Sequence, residues 1–138
     1  MPITLPTQST LVSIYNVIVT FDPQTGEVGF GGDMPADRVL HVGQGINLFV
    51  FDLQTPGEPK AIFPLEPLDW LEGTNPPFSQ GQRFNDHRYT LVVYNTALEA
   101  VNNEHMFNVT VLYENVPHSS DPDPTIITPP TDGIVTQR

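Results

Sequence analysis

The chain contains no cysteine. Disulfide staples, thiolate nucleophiles and cysteine-based zinc sites are excluded, so stability has to come from packing. Basic residues are almost as scarce: Arg38, Lys60, Arg83, Arg88 and Arg138 stand against sixteen carboxylates, for a formal net charge of -11. Such a surface repels phosphate backbones, because nucleic-acid affinity depends on Lys and Arg displacing counterions. Nucleic acid is not an expected partner, and the acidity reads as a solubility coat or as a surface for cations or a basic partner. Long apolar runs are missing as well. No stretch approaches the ~20 residues that cross a bilayer as a helix. Met1 to Phe21 carries no Lys or Arg ahead of its apolar part and is interrupted by Ser13, Asn16 and Thr20, so it does not read as a signal peptide. The expectation is a cytoplasmic protein without membrane contact.

The 138 residues fit one domain, and folding at that size buries roughly two-thirds of the surface of the unfolded chain. Two runs organise it, Arg88 to Asn95 and Glu104 to Glu114. In the second, Phe107, Val109, Val111 and Tyr113 share one parity while Met106, Asn108, Thr110 and Leu112 share the other. This is the period-two pattern of a strand with one strongly apolar face. Tyr89, Leu91 and Val93 alternate with Thr90, Val92 and Tyr94 in the first run, and the two are expected to pair as adjacent antiparallel strands.

Earlier in the chain, Leu11 to Phe21 and Ile46 to Leu53 have apolar residues on both parities, as expected for strands buried between layers. Asp22-Pro23-Gln24-Thr25-Gly26 is a turn, after which Val28 to Phe30 returns. Arg38 to Val42 reads as a short strand. Gly43-Gln44-Gly45 opens a strand-like run rather than a helix, so it is a tight loop and not a dinucleotide cradle. Thr55 to Pro59 is another turn, with Lys60 to Phe63 as an edge strand behind it. From Pro64 to Arg83 regularity is lost, and the four prolines there leave room for no more than one helical turn at Leu68 to Glu72.

Candidate chemistry is thin. Trp70, the only tryptophan, lies between Asp69 and Glu72 and reads either as a ligand-stacking platform for a sugar or cation, or as a plug over the end of the core. His41, His87 and His105 are dispersed, and only convergence in the fold would make them a metal site or a His-carboxylate base. Asn108-Val109-Thr110 matches a glycan acceptor but falls inside a strand. Asp121 and Asp123 are flanked by Pro122 and Pro124 and lack the Gly and closing Glu of a helix-flanked calcium loop. No nucleophile elbow, Walker loop or His-Glu-x-x-His is present. No catalytic residue and no cofactor is expected.

After Asn115 the chain becomes polar and proline-rich, with Thr125-Ile126-Ile127-Thr128 as its one apolar phrase. Those four residues are expected to bury themselves along an edge of their own sheet or on a neighbouring subunit by strand addition, with disorder as the third alternative. The segment Phe107 to Pro130, FNVTVLYENVPHSSDPDPTIITPP, together with VIVTFDP and PLEP earlier, resembles the DP-EP family of uncharacterised bacterial proteins, and more distantly the inclusion-body proteins of the PixA and AidA type. The resemblance implies a bacterial β-sandwich and self-association, and brings no catalytic residues.

The expected protein is all-β: an immunoglobulin-like antiparallel sandwich of about seven or eight strands over residues 1–115, with a Pro-rich acidic tail over 116–138 that adds a strand at 125–128. Its expected function is that of a non-catalytic, self-associating or protein-interaction domain forming a homo-oligomer. The alternative is a small-ligand module built on Trp70, Asp69 and Glu72.

Overall fold

In the computed structural model, residues 12–43, 45–71, 79–95, 104–121 and 123–128 are described; they form ten strands with no helix among them. The strands are β1 (Val12–Asp22), β2 (Glu27–Gly32), β3 (Val39–His41), β4 (Gly45–Gln54), β5 (Leu68–Trp70), β6 (Ser79–Asn85), β7 (Arg88–Asn95), β8 (Glu104–Tyr113), β9 (Val116–Ser119) and β10 (Thr125–Ile127). Sheet one has the order β2-β1-β4-β7-β6. Sheet two has the order β3-β10-β8-β5, with β9 as a fifth strand also paired to β8. The all-β expectation therefore holds. The count of seven or eight strands is corrected to ten, and the sheets are mixed rather than antiparallel throughout, since β1 with β4 and β3 with β10 run parallel.

The parallel pairs follow from the route of the chain. β1 turns back into β2 through Asp22 to Gly26, where Gly26 donates to the Asp22 carbonyl at 2.7 Å and takes a positive φ of 78°. The chain then crosses to sheet two as β3 and returns to sheet one as β4, beside β1. Parallel neighbours need such a crossover because a tight hairpin can only reverse the strand.

The expected pairing of the two central runs is also corrected. β7 lies between β4 and β6 in sheet one, with Phe49 opposite Leu91, while β8 lies in sheet two. β6 was hidden because it is polar and almost wholly exposed, as an edge strand can be. Nor is there a helical turn at 68–70: β5 pairs with β8 there. Lys60 to Phe63 is not a strand but a single bridge, Ile62 opposite Leu112.

The inner faces meet in one core. Val17, Val19, Phe21, Phe49, Phe51, Leu91 and Val93 from sheet one pack with Leu40, Phe107, Val109, Val111 and Ile126 from sheet two. Phe51 and Phe107 touch edge to face across the layers, 6.1 Å between centroids.

The segment after β8 is not a detached tail over its described part. Glu114 and Asn115, both at positive φ, form a two-residue turn from which β9 runs back along β8. β10 continues along the same edge, but four residues back on β8, from Thr110 to Met106, correspond to six forward, from Ser119 to Thr125. Two extra residues are absorbed between them. Ser120 closes the gap by exchanging hydrogen bonds with the backbone of Val109, both at 2.9 Å, and Asn108 donates to the Ser120 carbonyl and to Asp123. Phe107 donates to the Pro124 carbonyl at 3.1 Å just before β10 begins.

Ile126 is fully buried, whereas Ile127 is on the other face and half-buried. Ile126→Ala should therefore cost about 2–5 kcal/mol in urea denaturation and Ile127→Ala clearly less; equal small losses would contradict the placement of β10.

Tyr89 supplies a pH-dependent test of the same core. Its hydroxyl lies over Gly81 on β6, where any Cβ would collide with it. Burial raises its pKa above the ordinary tyrosine value, and the charge of Glu66 adds to the effect. The folded state thus favours the neutral phenol. Stability is unaffected below the unfolded-chain value of about 10 and falls as pH rises from there toward the folded value. Urea midpoints measured below and above that pH should show a larger alkaline loss for the wild type than for Tyr89→Phe.

Candidate functional site

The period of two that folds sheet one leaves its other parity pointing outward. On β1 these residues are Val12, Ile14, Asn16 and Ile18, on β4 Ile46, Leu48, Val50 and Asp52, and on β7 Val92, Thr90 and Arg88. The register sets them in rows across the strands: Val12 beside Ile46, Ile14 beside Leu48 and Val92, Asn16 beside Val50 and Thr90, Ile18 beside Asp52 and Arg88. The first three rows contain no charged side chain. Val12 is 61% exposed and Ile14 59%, and Ile18, Ile46, Leu48, Val50 and Val92 are half-buried. Polarity returns in the fourth row, where Arg88 Nε donates to Asp52 at 2.8 Å.

Two-sided apolar patterns on β1 and β4 were legible as a sign that both faces would be covered. Among the described residues no second layer packs on their outer face, and that face was not among the residues singled out from the sequence.

The outer face of sheet two has the opposite character. Asn108, Thr110, Ser119 and Asp123 are joined there by hydrogen bonds of 3.0 to 3.3 Å. The Asn108 amide is thus engaged in holding the slip between β9 and β10, and Asp123 serves the same joint.

Trp70 and Asp69 sit on the edge strand β5. The Trp70 ring turns inward onto Phe107, 5.2 Å between centroids, and is half-buried, while Asp69 faces out and is exposed. Glu72 lies outside the described residues. The inward ring fits the role of a plug at the rim of the core.

The three histidines are set apart. His41 is exposed at the end of β3, and His87 is exposed in the β6–β7 turn. His105 is 2% exposed, on the inward parity of β8, with Nε2 3.2 Å from Thr128 Oγ1. The His87 turn is tied to Phe63, whose neighbour Ile62 bridges Leu112. His105 lies seven residues back along β8, about 23 Å at the usual strand rise. Among the described residues, no three His, Asp or Glu side chains are grouped to hold a metal ion.

Thr125, Ile126 and Ile127 are enclosed on both edges within their own chain, by β3 and by β8, and Thr128 is buried against His105. Their apolar content is thus accounted for inside the fold.

Two clefts flank the β1–β2 turn. One, of about 640 Å³, lies between that turn and Pro56 to Glu58, with Phe21 and Tyr113 in its wall and Asp22 and Glu58 on its sides. The other, of about 550 Å³, is more polar and brings Asp22, Glu27 and Asp121 near Arg38. Arg38 is itself anchored: its guanidinium lies 5.0 Å over the Phe30 ring and donates to the Val28 carbonyl, and its own carbonyl accepts from Thr125.

No protein-family model matches the chain, and no curated protein matches it in sequence. No helix among the described residues is long and apolar enough to cross a membrane.

Proposed function

We propose that the protein is a non-catalytic interaction domain, an immunoglobulin-like β-sandwich of the bacterial cytoplasm that self-associates into a homo-oligomer. The observation that carries this is the uncharged aliphatic outer face of sheet one. Contiguous exposed apolar side chains mark association surfaces in folded proteins, whereas isolated exposed aliphatics do not. Several groups that a catalytic reading could draw on have structural work instead. His105 is packed against Thr128, Asp123 against Asn108, Asp52 against Arg88 and Asp86 against Arg83. The likeness of the carboxyl-terminal segment to the DP-EP family, and more distantly to inclusion-body proteins, points the same way.

Sedimentation equilibrium of the full chain across the micromolar range is the test. Masses at or tending toward a multiple of the single chain are expected; a single-chain mass at every concentration would sink the proposal.

A second function has its own support in the cleft between the β1–β2 turn and Pro56 to Glu58. Its volume falls in the usual range of small-ligand sites, and it combines aromatic walls with two carboxylates. It also moves the ligand, a sugar or a cation, away from Trp70. Amide NMR shifts followed through a sugar panel, with and without calcium, should then cluster around Asp22, Glu58 and Tyr113. No response there to any of the ligands would remove this alternative.

A further inference from the structure

Resting on the self-association proposed above, we infer that the partner is a second copy of the chain, docked outer face to outer face of sheet one about a two-fold axis that crosses the strands along the row Ile14, Leu48 and Val92.

Charge selects the face. Two chains of net charge -11 repel one another, and the approach that costs least brings together surfaces without carboxylates. The rows from Val12 and Ile46 to Asn16, Val50 and Thr90 have none within their strands, the nearest being Asp33 at the margin beside Asn16, and β6 continues the face with Gln80 and Gln82 opposite Val92 and Thr90. On β2 the corresponding positions are Gly29 and Gly31, beside Thr20 and Ile18, which leaves that margin low. A second acidic chain fits here better than a basic partner, for which the clefts around Asp22, Glu27 and Asp121 would be the attractive ground.

Charge also selects the axis. An axis running along β4 would set Asp52 directly against Asp52 of the other copy. An axis across the strands at Leu48 carries the two to opposite ends of the interface. Asp52 is four residues from Leu48, about 13 Å at the strand rise, so the two copies of Asp52 stand about 26 Å apart, beyond the ~8 Å over which exposed charges interact at physiological salt.

The area is that of a weak, reversible contact. The four strands β1, β4, β7 and β6 at ~4.8 Å spacing and the five residues from Val12 to Asn16 at ~3.3 Å, with one side-chain width added, make a face of roughly 20 by 18 Å. That is about 360 Å² per copy and about 700 Å² for the pair, in the range of transient rather than obligate association. The same patch is used by both copies, so the contact closes on itself as a dimer, with the sheets aligned and about 10 Å apart.

Under this axis each residue of the central row faces its own copy, which makes single substitutions decisive. Ile14→Glu sets two carboxylates against each other at a position 59% exposed in the single chain. In sedimentation equilibrium its mass should fall to half that of the wild-type dimer, with the circular dichroism and thermal transition of the wild type retained. Because the chain has no cysteine, Ile14→Cys gives a unique thiol near the axis. A bis-maleimide spanning about 10 Å, the sheet separation, should cross-link it to a dimer, while Asp69→Cys, exposed on sheet two, should stay single.

An Ile14→Glu protein that keeps the dimer mass, or Asp69→Cys cross-linking as readily as Ile14→Cys, would overturn this interface while leaving self-association standing. If Ile14→Glu fails to fold, the cross-linking pair decides alone. A wild type that is a single chain throughout would overturn both. Slow maleimide labelling of Ile14→Cys in that case would show the face covered by another part of the same chain, and fast labelling would show it open for a different protein.

Discussion

Phe107 has no exposed surface, and it touches Phe51 of the opposite sheet and Trp70 of the edge strand beside it. The rest of the molecule depends on that contact between layers, because no covalent link is available to a chain without cysteine. β8 carries the ring into the middle of sheet two, and its two edges then have to be satisfied separately. One edge takes β5 and the bridge at Ile62; the other takes β9 and β10 in succession. The polar joint of Asn108, Ser120 and Asp123 exists because a single return strand cannot stay in register past two extra residues. Burying Ile126 requires that slip to be closed without leaving backbone groups unpaired.

Five of the ten strands, β1, β3, β4, β7 and β8, were legible from parity and β2 from the turn ahead of it, and all six lie within a few residues of their expected positions. The partners were not. Adjacent apolar runs suggest a hairpin, but Leu91 is as good a neighbour for Phe49 as for any residue of β8, and period two does not record which sheet a strand joins. β6 and β9 escaped notice for the reason that edge strands generally do, since Ser79 to Asn85 and Val116 to Ser119 have little to bury. Glu114 and Asn115 were the available sign of the second hairpin. Asn tolerates positive φ, and a two-residue link between β-prone runs is a hairpin signature. Among the site residues, His105 shares its parity with Phe107 and Val109, so its burial could be read from the sequence. The inward turn of Trp70 could not, because proline-broken sequence around it conceals the pairing of β5 with β8.

The two outer faces show how one chain treats similar geometry in opposite ways. On sheet two, hydroxyls, an amide and a carboxylate saturate one another, so the face is polar without being strongly charged. On sheet one, charge is confined to the end that carries Asp22, Asp52 and Arg88, and aliphatic side chains occupy the other end. In a protein with so large an excess of carboxylates, a region that excludes them is a strong departure from the rest of the surface. It concentrates on one face what little attraction the exterior has for another acidic chain.

The route of the chain is what assembles this face. β1 and β4 are each apolar on both parities, and either one alone, set between polar neighbours, would expose only a narrow aliphatic row. The excursion through β3 returns β4 to the side of β1 in parallel, with Val12 beside Ile46 and Ile14 beside Leu48, and β7 then adds Val92. The rows merge into one contiguous aliphatic patch rather than a narrow stripe. Each buried Å² of such surface is worth about 25 cal/mol, so water exerts a steady preference for covering it. A fold of two layers can satisfy only one side of strands like these, and the crossover that makes β1 and β4 neighbours therefore also creates the demand for a third layer.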